Sequence, residues 1–392
     1  MKSLMTWLWL VATAALAGCA TPPPPVASNL ELPFEQAVAL ASDGVVGQAR
    51  ALPAFRFSFA KHGIVIDPML DASSGQQTAL TQLLEQRVTQ RIGAGLTSAE
   101  FVPFQRASLA QADYLLTGTL ARTLDGRPKG TLQLNLALTD LKSGLVVAQA
   151  RALMRDEGLD NTPARYYADS PVLVRDRVIE GYIATTGGAV GTPADPVYLK
   201  RLGVATTIQE ATGLYNAERY QDSLMRYDAA RIDDGGEQLR VLNGLYLTNA
   251  KLGKAAEADE AFAKLVAYGI ANNRLRVKFL FNPGSTVFWS DPKVSDPYAM
   301  WLRQIAKESA AAKACMSVVG HTSRTGTEAF NDALSLQRAG VIRQRLMGES
   351  SVIAERSQAQ GRGWRENIIG SGTDDAVDVL DRRVEFKIVP CT

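Results

Sequence analysis

The hydrophobic pattern of the chain changes its period twice along 392 residues. Between residues 32 and 192, short apolar runs typical of strands alternate with amphipathic helical segments, whereas residues 200–272 keep a helical period throughout. From residue 274 to the C-terminus, strands and helices alternate again. Because a chain of this length also exceeds one ordinary hydrophobic core, the sequence predicts a multi-domain fold: an α/β domain, a short helical region and a second α/β domain.

The segment 32–192 carries the signals of an α/β domain. Residues 63–66 predict a buried strand that a proline closes, and apolar residues at helical spacing between 80 and 92 predict an amphipathic helix. Alternating apolar residues on both sides of a turn at 140–144 predict a β-hairpin. We also expect strands at 101–104 and 113–120, and a closing helix at 171–185.

The helical segment 200–272 contains an internal repeat. Four positions recur after 35 residues, so that Tyr220, Ser223, Tyr227 and Ala230 return as Ala255, Ala258, Phe262 and Leu265. This resembles two tetratricopeptide repeats, whose period is about 34 residues. Because fewer than three repeats rarely stand alone, we expect the neighbouring domains to cover their ends. The groove of the repeats either binds a partner peptide or is a plain spacer, and the sequence leaves both open.

The first nineteen residues combine a positive charge, an apolar stretch and a cysteine. Lys2 precedes an apolar run over residues 4–16, as in a secretory signal, and the run ends in Leu16-Ala17-Gly18-Cys19. This ending resembles the lipobox of bacterial lipoproteins, which implies removal of a signal peptide, residues 1–18, and acylation of Cys19 by palmitate-type chains. Ala20 in place of Asp implies, by the sorting pattern of enteric lipoproteins, an outer-membrane anchor facing the periplasm. The alternative is an ordinary secretory signal with a chance cysteine.

Residues 19–31 are predicted to be an extended tether. They contain four consecutive prolines at 22–25, which are incompatible with both helix and sheet. A tether of this kind would connect a lipid to a folded domain.

The remaining cysteines, Cys315 and Cys391, are an even number if Cys19 carries lipid. In an oxidising compartment such a pair favours a disulfide bond, which we predict here. The alternative is two buried thiols.

Three motifs stand in order near the C-terminus. The first is Val319-Gly320-His321-Thr322-Ser323-Arg324-Thr325-Gly326, the second runs from Phe330 to Ala339, and the third is Asp381-Arg382-Arg383-Val384-Glu385-Phe386. They resemble VxGHTDxxG, NxxLSxxRA and NRRVEF of the OmpA C-terminal, peptidoglycan-associated family. The resemblance covers residues 274–392 and implies an α/β sandwich that binds peptidoglycan without a covalent bond. It also implies neighbouring antiparallel strands ending at Cys315 and Cys391, which supports the disulfide.

The resemblance implies a set of ligand-binding residues. Arg338 matches the arginine that grips the carboxylate of diaminopimelate in the stem peptide, an anion for which a guanidinium fork is well suited. Asn331, two helical turns earlier, matches another ligand contact, and Thr322 matches a loop contact. Arg382 or Arg383 matches the arginine of the last strand, although both residues are also open to a purely positional role.

The sequence departs from the family pattern at three positions. Ser323 replaces the aspartate that pairs with the diaminopimelate ammonium, so it offers a hydrogen bond without a charge. Asn282 and Asp381 replace an aspartate and an asparagine. Loss of a charged hydrogen bond at Ser323 is expected to cost about 1–3 kcal/mol of binding. Asp374 and Asp375 are candidates to supply the missing carboxylate.

Several function classes are disfavoured. The net charge of +2 without a basic run argues against nucleic acid as a partner. His62 and His321 are the only histidines of the sequence, too few for a metal cluster or a Ser-His-Asp triad to be expected. Asp67 and Asp140 could form a pair of carboxylates, but we expect a strand-end and a turn residue instead. We therefore expect neither enzyme activity nor a cofactor.

The sequence predicts an outer-membrane lipoprotein that binds peptidoglycan, links membrane to wall and scaffolds another envelope protein. Two alternatives come from the N-terminal domain, where residues 65–68, 112–120 and 140–148 read VIDP, ADYLLTGTL and DLKSGLVVA. These segments resemble the α/β domain of periplasmic lipoproteins such as the synthase activator LpoB and the curli secretion protein CsgG. The resemblance implies an activator of a cell-wall synthase or a subunit of a secretion or pilus assembly.

Overall fold

The structure is a computed structural model that describes residues 26–57, 60–123, 131–370, 372 and 379–391. The predicted signal peptide, Cys19 and the proline run lie outside these residues. The described residues form α/β and helical parts, as the sequence predicts. None of the helices in these ranges is long and apolar enough to cross a membrane.

The N-terminal domain is a sheet with helices on both faces. Its elements are β1 (Val26–Leu32), α1 (Phe34–Ala51), α2 (Pro53–Phe57), β2 (His62–Ile66), β3 (Leu70–Asp71), α3 (Ala79–Gly95), β4 (Ala99–Val102), α4 (Arg106–Leu109), β5 (Tyr114–Arg122), β6 (Thr131–Asp140), β7 (Leu145–Arg155), α5 (Arg165–Asp169), α6 (Arg177–Thr186) and α7 (Pro196–Lys200). The strand order is β1-β7-β6-β5-β2-β4, with β3 beside β5. Successive strand residues point to opposite faces, so Leu116 packs with α1 and α3 while Leu115 packs with α6 and α7.

The predicted tether is wrong for residues 26–31. These residues belong to β1, which pairs in parallel with β7 from Val26 beside Ala150 to Leu32 beside Met154. An open sheet edge offers a row of unpaired backbone groups. The edge of β7 therefore supplies hydrogen-bond partners to β1, which the local sequence of residues 26–31 does not indicate.

Asp67 and Asp140 do not form a paired-carboxylate site. Asp140 accepts hydrogen bonds from Lys142 N and Ser143 N in the hairpin turn, as expected.

The helical region consists of two antiparallel helix pairs. They are α8 (Leu202–Asn216), α9 (Tyr220–Ile232), α10 (Leu239–Lys251) and α11 (Ala255–Ala271). The two copies of the 35-residue repeat fall on α9 and α11, and their aromatic positions, Tyr227 and Phe262, are fully buried. The Tyr227 ring lies where a side chain at Gly244 would stand, within 2.3 Å of the missing Cβ position. The small residue on α10 therefore allows this close packing.

The C-terminal domain packs helices on a smaller sheet. Its elements are β8 (Leu275–Val277), α12 (Pro292–Ser295), α13 (Tyr298–Ala311), β9 (Cys315–Gly320), α14 (Glu328–Glu349), α15 (Val352–Arg356), β10 (Ser357–Gly361), a 3₁₀ turn (Val379–Asp381) and β11 (Val384–Val389). Among the described residues the strand order is β10-β9-β11-β8. The predicted disulfide between Cys315 and Cys391 is confirmed, since β11 runs antiparallel to β9 and pairs Val389 with Cys315.

Two further predictions are wrong at the junction of the domains. The alternation of Val277, Phe279 and Phe281 predicts one strand through all three residues. The strand instead ends at Val277, where Phe279 N donates to Val277 O and bends the chain. The helix expected from residue 171 begins only at Arg177. Residues 171–173 instead line the outer edge of β8, where Val172 pairs with Val277. Backbone pairing between distant segments overrode the local pattern in both cases.

The helical region and the C-terminal domain share one continuous hydrophobic core. Trp301 on α13 stacks on Phe262 of α11 at 5.7 Å between ring centroids, and its Nε1 donates to the Tyr246 hydroxyl of α10 at 2.8 Å. On the other side, Arg274 donates to both carboxylate oxygens of Glu180 on α6. The neighbouring domain thus covers the last repeat helix, as the low number of repeats led us to expect.

Candidate functional site

Three loops meet at the N-terminal half of α14, where the motif residues lie. Thr322 N donates to Gly363 O at 2.9 Å, which joins the loop after β9 to the loop after β10. Gly320 makes this arrangement possible, because a Cβ there would stand 2.1 Å from Ser335 O on α14. Its lack of a side chain lets β9 approach the helix that carries Arg338.

Arg338 is buried, with 5% of its surface exposed, and is oriented by the protein backbone. Its Nε donates to Ser285 O at 3.0 Å and its Nη2 donates to Asn282 O at 3.2 Å. The guanidinium also lies 4.9 Å from the centre of the Phe281 ring. These contacts hold the side chain in one orientation and hold the loop after Phe281 against α14. Arg338 therefore has a structural role whether or not it also binds a ligand.

Thr322 and Ser323 are buried in the loop beside α14. Only 2% of Thr322 is exposed, and its Oγ1 has no hydrogen-bond partner among the described residues. A buried hydroxyl without a protein partner is costly, so this oxygen is available to bond a ligand or water. Ser323 Oγ lies 3.4 Å from Thr325 Oγ1. Both hydroxyls thus line the same turn, as the motif implies.

Asn331 bonds to the backbone of the loop that precedes α14, a structural role that the sequence did not indicate. Its amide Nδ2 donates to Thr325 O at 2.6 Å and to Thr327 O at 3.1 Å. Thr327 in turn caps α14 by accepting a hydrogen bond from Phe330 N. Since both amide protons are engaged, a ligand could use only the carbonyl oxygen of Asn331.

Arg383 lies in a buried ion pair, which favours a positional role for it. Its Nε and Nη2 donate to Glu385 Oε1 at 2.8 and 2.7 Å, and Arg276 approaches the same oxygen at 3.2 Å. Burial by itself raises the pKa of Glu385, but Arg383 and Arg276 outweigh it and lower the pKa to about 2. Sequence reasoning did not assign Glu385 a role. The sequence did contain a signal for this ion pair, because Arg383 and Glu385 are two residues apart and such residues in an extended chain point to the same side.

His321 stands beside this ion pair as a neutral ring. Burial, followed by repulsion from Arg383, lowers its pKa to about 3. Ligand atoms of His321, Glu366 and Glu385 lie within 4.8 Å of one another, a spacing that a metal ion could bridge. However, four cations already contact these carboxylates: Arg276, Arg362, Arg383 and Lys387. Four cations against two carboxylates leave a positive balance, so we assign no metal to this group.

Residues 368–370, which precede the last strand, are held from two domains. Asp381 accepts hydrogen bonds from Ile368 N, Ile369 N and Gly370 N at 2.6 to 3.0 Å. On the other side, Arg122 at the end of β5 donates from Nε to Ile369 O at 3.1 Å. Arg382 is half-buried beside Asp381. The candidate carboxylates Asp374 and Asp375 lie outside the described residues.

Residues 280–378 match the model of the OmpA family, so the chain carries an OmpA family domain. The outer membrane protein Omp38 of two strains of Acinetobacter baumannii is 31% identical over 114 residues, which are 29% of this chain and 30% of that protein. The chain thus spans less than a third of the length of these relatives.

Similar solved structures include the peptidoglycan-associated lipoprotein of Burkholderia pseudomallei, at 24% identity over 29% of this chain and 89% of that chain (TM-score 0.23). The cell wall anchor of the type VI secretion system of Pseudomonas aeruginosa shows 23% identity over 29% and 78% (TM-score 0.24). The C-terminal domain of LpoB from Salmonella enterica shows 10% identity over 30% and 98% (TM-score 0.23).

Proposed function

We propose that the chain is an outer-membrane lipoprotein whose OmpA family domain binds peptidoglycan without a covalent bond. In this proposal Cys19 carries the lipid, the protein faces the periplasm, and Arg338 receives a carboxylate of diaminopimelate in the stem peptide. The middle of the chain would scaffold another envelope protein. The observation that carries the proposal is the burial of Arg338, Thr322 and Ser323 within an OmpA family domain, in which Gly363 connects the Thr322 loop to α14. Gly363 O accepts from Thr322 N, and Gly363 N donates to Ser335 Oγ on α14.

The fixed orientation of Arg338 supports its role as the anion-binding group. Two backbone carbonyls and the Phe281 ring hold the guanidinium, so little conformational entropy is lost when an anion binds. Arg383 forms a buried ion pair with Glu385. We therefore propose Arg338 as the main cation of the site, with Arg382 as the accessory one.

The hydroxyls of Thr322 and Ser323 support the proposed contact with the ammonium end of diaminopimelate. Thr322 Oγ1 needs a partner that the described residues do not supply. Ser323 provides an oxygen that can accept a hydrogen bond from the ammonium of diaminopimelate, but without the charge of an aspartate. We therefore propose that this domain binds diaminopimelate more weakly than it would with an aspartate at position 323.

The relation between the domains supports a load-transmitting scaffold. The shared core of Trp301, Phe262 and Tyr246, together with the pairing of Val172 with Val277, joins the wall-binding domain to the rest of the chain. Between the described domains, a tension from membrane to wall would pass through packed side chains. This continuity suits a protein held at both ends.

The test is sedimentation with purified sacculi, with the full mature chain and its Arg338→Ala variant. We expect the wild type to pellet, Arg338→Ala to remain largely in solution, and free diaminopimelate to compete while lysine, which lacks the second carboxylate, does not. Arg226→Ala is a matched control, because Arg226 is exposed on α9 and far from α14 in the sequence. Equal pelleting of wild type and Arg338→Ala would contradict the proposed site. Circular dichroism of both variants separates lost binding from lost folding.

A further inference from the structure

A cavity of about 340 Å³ lies where the three domains meet. Its walls include Tyr246 from the helical region, Tyr298 and Trp301 from α13, and Pro171 from the segment beside β8. This volume equals that of about eleven water molecules and falls within the range of small-molecule sites. The walls are mainly apolar and aromatic, and a few polar groups are set into them.

Lys278 is the buried cation of this cavity. Only 7% of the residue is exposed, and its Nζ donates to Tyr167 O at 3.2 Å and to Ala168 O at 3.0 Å, at the C-terminal end of α5. An ammonium has three donors, and the third has no acceptor among the described residues. Burial lowers the pKa of Lys278 to about 8, against the attraction of Asp169. Asp169 itself pairs with Lys251 at 2.9 Å.

Two tyrosine hydroxyls add further donors to the same wall. The Tyr298 hydroxyl accepts from Leu280 N at 3.0 Å, and the Tyr246 hydroxyl accepts from Trp301 Nε1 at 2.8 Å. Neither hydroxyl proton has an acceptor within the part of the chain that the structure describes. Burial raises the pKa of both tyrosines to about 12, so they keep these protons at neutral pH. The cavity therefore offers a positive charge and hydrogen-bond donors that an acceptor group of a ligand would satisfy.

We propose that this cavity binds the free carboxylate end of a peptide that carries an apolar side chain. A carboxylate accepts hydrogen bonds at both oxygens and compensates the buried ammonium, while the aromatic walls cover the apolar side chain. Arg338 is not among the residues that line this cavity, and the site does not depend on the proposed wall binding. Because residues of all three domains line the cavity, an occupant would lock their relative positions.

The experiment is isothermal titration of the full mature chain with N-acetylphenylalanine and with its amide, which has the same size but no charge. We expect the acid to bind at least tenfold more tightly than the amide, and Lys278→Met, which keeps the aliphatic stem, to abolish the difference. Lys278→Met should still pellet with sacculi as the wild type does, which keeps this result independent of the proposed wall binding. Hexanoate serves to test whether a carboxylate with an alkyl chain is sufficient.

A second arm needs only the wild type, in case Lys278→Met does not fold. Lys278 is charged below a pKa of about 8, so affinity for the acid should fall about tenfold between pH 7 and pH 9 while the amide changes little. The other charged groups on the wall are Asp169, Lys251 and Lys293, and both probes meet them equally. Equal affinity for acid and amide, no binding of the acid, or a pH-independent difference would overturn the site. Tighter binding of hexanoate would overturn the peptide assignment.

Discussion

Removing the charge of Glu385 tests how much the ion pair between Glu385 and Arg383 stabilises the C-terminal domain. Glu385→Gln keeps the shape of the side chain but removes its charge. Arg383 and Glu385 are only 3% and 4% exposed, and Arg276 lies 3.2 Å from the same carboxylate. The substitution would leave two arginines without their shared anion in a buried setting, next to β9 and β11.

Two lines of reasoning give a similar magnitude. Removing one partner of a buried ion pair destabilises a protein by about 3–5 kcal/mol, because the other charge remains buried without compensation. Independently, a pKa of Glu385 lowered from 4.5 to about 2 corresponds to about 3 kcal/mol of stability at 1.36 kcal/mol per pH unit. Since the folded pKa is depressed, this stability is complete above pH 4.5 and is lost as the pH falls toward 2.

The assay must be local, because a multi-domain chain does not unfold in one step. Hydrogen exchange at pH 7 of the β9 and β11 amides reports their opening free energy, which we expect to fall by about 3 kcal/mol in Glu385→Gln. Glu366→Gln is the matched control, since Glu366 is exposed and its pair with Lys387 is worth under about 1 kcal/mol. A loss below about 1 kcal/mol in Glu385→Gln, or an equal loss in the control, would refute the reasoning.

Three further predictions concern contacts that connect distant parts of the chain. Arg122→Ala should speed hydrogen exchange at Ile369 by roughly tenfold and weaken sacculus binding, because Ile369 O loses its charged donor; unchanged exchange would contradict this. Cys391→Ser should lower the opening free energy of the β9 and β11 amides in hydrogen exchange by about 4 kcal/mol, as expected for a bond across 76 residues; dithiothreitol on the wild type should reproduce the loss. Gly320→Ala should reduce both folded yield and sacculus binding, since its Cβ would meet Ser335 O at 2.1 Å; a normal yield with normal binding would count against the close approach.

The sequence by itself determined the elements whose own residues bury an apolar face. β5 and β6 follow from their apolar runs, α3 from its helical period, and the OmpA family domain from three ordered motifs. The pairing of Cys315 with Cys391 also follows, from the even number of remaining cysteines and from the neighbouring strands that the resemblance to the OmpA family implies. These features depend on local periodicity or on motifs within short stretches, which a linear reading records directly.

The tertiary structure decided the features in which distant segments supply each other's partners. β10 reads Ser-Gln-Ala-Gln-Gly, which has no apolar alternation, and it forms a strand because the edge of β9 pairs with its backbone. β1 becomes a strand in the same way against β7. Lys278 is buried at a junction of three domains because the chain bends after Val277. Backbone hydrogen bonds and buried charges are satisfied across the fold, so their partners cannot be identified from neighbouring residues alone.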